Sequence, residues 1–139
     1  MIIKKLAAGA LAAVSVALVA PATAQAEDLT AFEHCWSSCD SAGTFGTIDW
    51  HNRTATVHGW VVDRKAGWTQ AKFVAYKNGR PDGDLVTRTT DDKGQYGPER
   101  EFSFVIGDTN RPGGLERVAI NLCFDDGRCK GWTDVRRPS

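Results

Sequence analysis

The sequence predicts an all-β fold: an antiparallel β-sandwich of about seven strands, stapled by disulfides, following a cleaved signal peptide. Three observations lead there. Short runs rich in β-branched and aromatic residues recur along the chain, and Gly, Pro, Asn and Asp separate them. No segment sustains the 3.6-residue period of a helix. Four cysteines follow an N-terminus of export type.

That N-terminus comes first. Lys4 and Lys5 precede an apolar run from Leu6 to Ala20, and Ala24 and Ala26 supply a small-x-small cleavage pattern before Glu27. The run is shorter than the roughly 20 residues needed to span a bilayer. We read residues 1–26 as a signal peptide, 27–43 as an N-terminal arm and 44–139 as a single β-sandwich domain. The mature chain suffices for one core and is too short for two. Of the 17 basic residues Lys4 and Lys5 leave with the signal, so 15 face 17 acidic ones and the mature net charge is about −2. No basic stripe points to nucleic acid, and no polybasic segment points to a membrane after cleavage. A monomer without a cofactor is expected.

The strands follow in order. Thr44–Trp50 is the first candidate, with a turn at Asn52-Arg53. Thr54–Asp63 is the second. Its Ala55, Val57, Gly59 and Val61 share one face, while Thr56, His58, Trp60 and Val62 share the other. That second face is therefore solvated at its start and covered later, or the strand bulges near Gly59. Thr69–Lys77 is the third, with Ala71, Phe73 and Ala75 in phase, and residues 78–83, NGRPDG, are dense turn chemistry. Asp84–Thr90 is the fourth, followed by a loop over 91–100. In Glu101–Ile106, Phe102, Phe104 and Ile106 point inward. Leu115–Phe124 is the sixth run and Arg128–Arg136 the last.

The cysteines are read as disulfides because export implies an oxidising compartment. Asp125-Asp126-Gly127 fits a three-residue hairpin loop closed by Phe124 and Arg128, with Gly127 in the left-handed conformation. Cys123 and Cys129 then face each other one pair further back, within disulfide reach. Such a short closed loop fixes strand register more than it adds global stability. By exclusion Cys35 pairs with Cys39 across an irregular turn, because four residues of ideal helix would hold the two Cβ atoms too far apart. The other pairings would tie the arm to the last hairpin. Zinc is disfavoured, since the second gap is five residues with a turn inside it.

The Ala-rich export signal, the strand ATVHGWVVD and the late hairpin RVAINLCFDDGRC together resemble small exported β-sandwich proteins of actinobacteria, mostly without assigned function. The resemblance implies a fold and a compartment and supplies no site residues.

Little points to catalysis. No Gly-x-Ser-x-Gly elbow occurs, and Ser103 reads as the outward residue of a strand. Asp91-Asp92 and Asp125-Asp126 sit beside Gly in turns, where Asp is favoured for local hydrogen bonding. A loop calcium site would lack the EF-hand order. His51 and His58 could face each other across a turn, yet no carboxylate at a matching offset supports a metal, and no metal site is expected. The compositional oddity is five tryptophans. Trp36, Trp68 and Trp132 lie at element ends and are the candidate ligand-binding residues, since exposed indoles often mark binding surfaces. The expected function is a non-catalytic, secreted binding module for an extracellular glycan, the cell wall or a secreted protein. The alternative is an inhibitor of a secreted hydrolase that presents the Asp125, Asp126, Gly127 loop, and the second alternative is a small secreted enzyme.

Overall fold

A computed structural model of the chain describes residues 28–65, 67–90 and 98–139. Residues 1–26, read from sequence as a signal peptide, and the Asp91-Asp92 pair lie outside the described residues. Among the described residues the chain is all-β and every strand pairing is antiparallel. Strands β1 (Leu29–Cys35), β2 (Ala42–Trp50), β3 (Ala55–Asp63), β4 (Thr69–Lys77), β5 (Arg80–Pro81), β6 (Val86–Thr89), β7 (Glu99–Ile106), β8 (Arg117–Phe124) and β9 (Thr133–Arg136) form two sheets. The four-stranded sheet runs β1-β2-β3-β7, and the five-stranded sheet runs β5-β4-β8-β9 with β6 also on β4.

The largest departure from the sequence reading is the arm. Residues 29–35 form an edge strand in register with β2, so that Phe32 faces Gly46 and His34 faces Thr44. Trp50, only 5% exposed, is anchored from β1 by an Nε1–H bond of 2.9 Å to Thr30 Oγ1. Residues 78–83 also divide further than expected. Asn78 and Gly79 have φ of 52° and 73°, the two left-handed residues of a type I′ hairpin, and Lys77 pairs with Arg80 to begin β5.

The two sheets share one core. Its centre is Phe73 of β4, which meets Phe32, Phe102 and Phe104 of the other sheet edge-on, at centroid distances of 6.1, 5.4 and 5.1 Å. The inner row across the four-stranded sheet reads Phe32, Gly46, Gly59, Phe102. Two phenyl rings therefore flank two residues with no side chain, and Phe73 packs against both rings. β3 runs without a bulge, since its register with β2 and β7 is continuous through Gly59. Coverage of the second face is the explanation that holds: Val62 is 1% exposed although it lies on the outward side.

A bulge does occur, at the other hairpin. Cys123 faces Cys129 and Ile120 faces Thr133, so three steps along β8 match four along the returning chain. Gly131, with φ of 105°, accommodates the extra residue. This shortens the last strand from the expected Arg128–Arg136 to Thr133–Arg136.

At the opposite end, β4 finishes on a buried lysine. Lys77 Nζ donates to the Arg111 carbonyl at 2.8 Å and lies 3.5 Å from Asp82 Oδ2. Asp82 is fully buried, accepts from the Asp108 amide at 2.9 Å and has Arg111 Nη1 3.0 Å from its other oxygen. Removing one member of such a cluster strands a buried charge, which costs about 3–5 kcal/mol. Asp82→Asn should lower the unfolding free energy by an amount of that order, read as a lower urea midpoint, while Arg111→Ala, whose side chain is 44% exposed, should cost distinctly less. Equal midpoints for Asp82→Asn and the parent chain would contradict this view of the cluster.

Candidate functional site

Two regions bring chemistry-bearing side chains together. The first is the outward face of the four-stranded sheet. Alternation along each strand places residues of one register row side by side. One row reads Glu33, Phe45, Trp60, Glu101, and the next reads Ala31, Thr47, His58, Ser103. Phe45 and Trp60 stack with centroids 5.7 Å apart and planes 23° apart. His58 meets Trp60 edge-on at 5.1 Å, and its Nε2 bonds Glu101 Oε1 at 2.8 Å. Phe45 also borders a depression of about 450 Å³, whose lining includes Glu33, Asp40, Thr47, Arg64 and Glu99. That volume lies within the roughly 300–1,000 Å³ of small-ligand sites.

The floor of this face depends on its glycines. The Cys35–Cys39 disulfide rests against Gly43, where an added Cβ would lie 3.0 Å from Cys35 Sγ and 3.1 Å from Cys39 Sγ. A Cβ on Gly46 would run into the His58 carbonyl, and one on Gly59 into the Phe45 carbonyl. Arg64 closes one end by donating to the Asp40 carbonyl at 2.6 Å and to Glu99 Oε1 at 2.5 Å.

Ser103, His58 and Glu101 lie on this face together, a grouping that the sequence spacing hides. Among the described residues no hydrogen bond joins Ser103 to His58, and the face is open to water. A serine nucleophile needs a base in hydrogen-bond contact and a preformed oxyanion site. His51 is elsewhere, bonded through Nε2 to Thr56 Oγ1 at 2.8 Å, so the two histidines do not converge. Among the described residues the grouping with metal-ligand spacing is Glu33, Cys35 and Cys39, but both sulfurs are in a disulfide and offer no thiolate.

The second region lies where the stapled hairpin meets the end of β1. Both local disulfides form, Cys35–Cys39 and Cys123–Cys129, with Cα separations of 4.9 and 4.0 Å. Phe124 and Arg128 close the loop through an N–H···O bond of 2.8 Å, and Gly127 has φ of 85°. Asp126 accepts from the Arg128 amide and guanidinium, which hold its carboxyl below the usual range. Trp36 packs edge-on against Phe124 at 4.9 Å, with the Arg128 guanidinium 5.5 Å from its ring centre. Trp68 reaches the same end through its carbonyl, which accepts from the Asp125 amide. Trp132 follows the Gly131 bulge and is 52% exposed. Trp36 and Trp68, two of the tryptophans proposed from sequence, adjoin the Asp125-Asp126-Gly127 loop, and among the described residues no ring contact joins Trp132 to either. Sequence reasoning did not select Phe45 and Trp60. The available signal was Trp60, out of phase with the buried residues of its own strand.

β1 is locked to the bulge by polar contacts. His34, 9% exposed, donates from Nε2 to the Gly131 carbonyl at 2.9 Å. Lys130 Nζ donates to the Cys35 carbonyl, and Asn121 Oδ1 accepts from the Leu122 and Gly131 amides. Burial pushes the His34 pKa below 6.5; the Gly131 bond opposes that shift and the nearby Lys130 charge adds to it.

No protein-family model, curated protein or solved structure matches the chain.

The folded chain holds His34 neutral, whereas the unfolded chain takes up a proton near the ordinary value of 6.5. The stability that rests on neutral His34 is therefore complete above that value and declines as pH falls below it. Thermal melts between about pH 7.5 and about pH 5.5 should show a falling Tm, and His34→Gln should flatten that slope while lowering Tm at neutral pH. An unchanged slope in the variant would assign the acid sensitivity to other groups.

Proposed function

We propose that the chain is a secreted, non-catalytic β-sandwich module that binds an extracellular glycan on the outward face of its four-stranded sheet. The observation that carries this reading is the Phe45–Trp60 stack beside the 450 Å³ depression. The two stacked rings are part-buried, and the apolar surface they leave uncovered offers a sugar face something to pack on. Thr47, Glu33 and Glu99 border the same depression and supply acceptors for hydroxyl groups. Two disulfides suit an oxidising compartment, and no described helix is long and apolar enough to cross a membrane. The signal-type N-terminus and the resemblance to small exported actinobacterial proteins support the same setting.

A second reading, inhibition of a secreted hydrolase, rests on the exposed Asp125–Gly127 loop. The Cys123–Cys129 staple, the Trp36–Phe124 contact and the Asp126–Arg128 pair pin it in place. A loop held in its bound shape loses little entropy on docking.

The test is retention of the mature protein on insoluble polysaccharides and cell-wall material, followed by tryptophan fluorescence. Retention with a shifted indole signal is expected. Phe45→Ala and Trp60→Ala should each weaken it at least about tenfold, the equivalent of 1.4 kcal/mol, with Trp36→Ala close to the parent. Melting curves establish that the variants are folded. Retention unaffected by Phe45→Ala and Trp60→Ala would overturn the assignment of the site. Slowing of a protease or glycosidase, abolished by Asp126→Ala, would favour the second reading.

A further inference from the structure

The charges around the depression narrow the class of ligand. Three carboxylates line it, Glu33, Asp40 and Glu99, against one cation, Arg64. Arg64 is committed, since it pairs with Glu99 at 2.5 Å and bonds the Asp40 backbone carbonyl. The Glu33 and Asp40 carboxylates meet no Lys, Arg or His among the described residues. Both residues are exposed. Phe45 stands beside them in the lining, and Trp60 behind Phe45 extends the aromatic surface.

A neutral glycan would leave these two charges with hydroxyl partners alone. A uronic-acid or phosphate-bearing polymer would meet like charge. A cationic group is favoured twice, by the carboxylates and by the ring faces, which attract ammonium groups.

We propose that the ligand is a polysaccharide carrying free amino groups, a deacetylated amino-sugar polymer, whose sugar face packs on Phe45 and Trp60 while an ammonium group meets Glu33 or Asp40. The proposal rests on the glycan reading above and adds the charge of the sugar. The carboxylates are exposed, so salt weakens their contribution.

The experiment compares two solid phases: insoluble poly-N-acetylglucosamine, and the same material after chemical deacetylation. The mature protein should be retained on the deacetylated polymer about tenfold more strongly. The preference should vanish in Glu33→Gln/Asp40→Asn and in about 1 M salt, where the screening length falls to ~3 Å. The control Asp84→Asn/Asp134→Asn changes net charge equally outside the lining of the depression and should keep the preference. Equal retention on the two polymers, still sensitive to Phe45→Ala, would overturn the amino-sugar inference and leave the glycan reading standing. A preference lost equally in both double variants would reduce it to nonspecific attraction and overturn the site. Retention on neither polymer would overturn the inference, and the glycan reading falls with it only if other polysaccharides and cell-wall material also fail.

Discussion

Two opposed glycines, Gly46 and Gly59, sit at the middle of the four-stranded sheet, and much of the molecule is arranged around them. Their strands approach so closely that a methyl group on either would strike the carbonyl of the facing strand. On the inner side the gap in side chains is framed by Phe32 and Phe102, and Phe73 from the other sheet packs against both rings. On the outer side the adjoining row holds Phe45 and Trp60. The residues that order the core and those that form the outer aromatic stack are therefore sequence neighbours on β2 and β3, pointing opposite ways. Alternation along a strand makes this possible: a position that must be empty inside is followed by one free to be large outside.

The rest of the fold secures the margins of that arrangement. β1 is an edge strand, and its far end is held to the five-stranded sheet by His34 on Gly131, Lys130 on the Cys35 carbonyl, and Trp36 on Phe124. The Gly131 bulge presents the carbonyl that His34 reaches. Disulfides flank this junction on both sides, so each fixes a local turn whose contacts cross between the sheets. The opposite end is closed by a different device, the buried Lys77–Asp82 pair under Arg111. Core packing in the middle is thus bracketed by polar closures at the two ends, one built on a buried histidine and one on a charge pair.

Much of this was legible in the sequence because it depends on short-range chemistry. Thr69–Lys77 follows from its alternation, and the Cys123–Cys129 hairpin follows from Asp125-Asp126-Gly127 and the spacing of its cysteines. What escaped depends on partners distant along the chain. LTAFEHC places a histidine on its inward side, which looks like an arm until Gly131 is known to lie opposite. The stack of Phe45 on Trp60 requires the β2–β3 register, which local patterns do not specify. Gly59 suggested a bulge because one glycine in a strand commonly marks one; its actual role needs Gly46 opposite. The real bulge, at Gly131, was hidden inside a segment that reads as continuous strand. The candidate site suffers most, since a surface row draws one residue from each of four strands.

The two faces of β2 and β3 are coupled through their glycines, so one substitution interrogates both. The most direct measurement is near-ultraviolet circular dichroism of Gly59→Ala, followed through thermal unfolding, against the parent chain. The added methyl has no space toward the Phe45 carbonyl. The account predicts a large fall in Tm, or no cooperative transition, together with loss of the aromatic signal contributed by the Phe45–Trp60 stack and the Phe73 cluster. A variant that melts like the parent with the same aromatic spectrum would show that the close approach at Gly46 and Gly59 is not what organises core and surface.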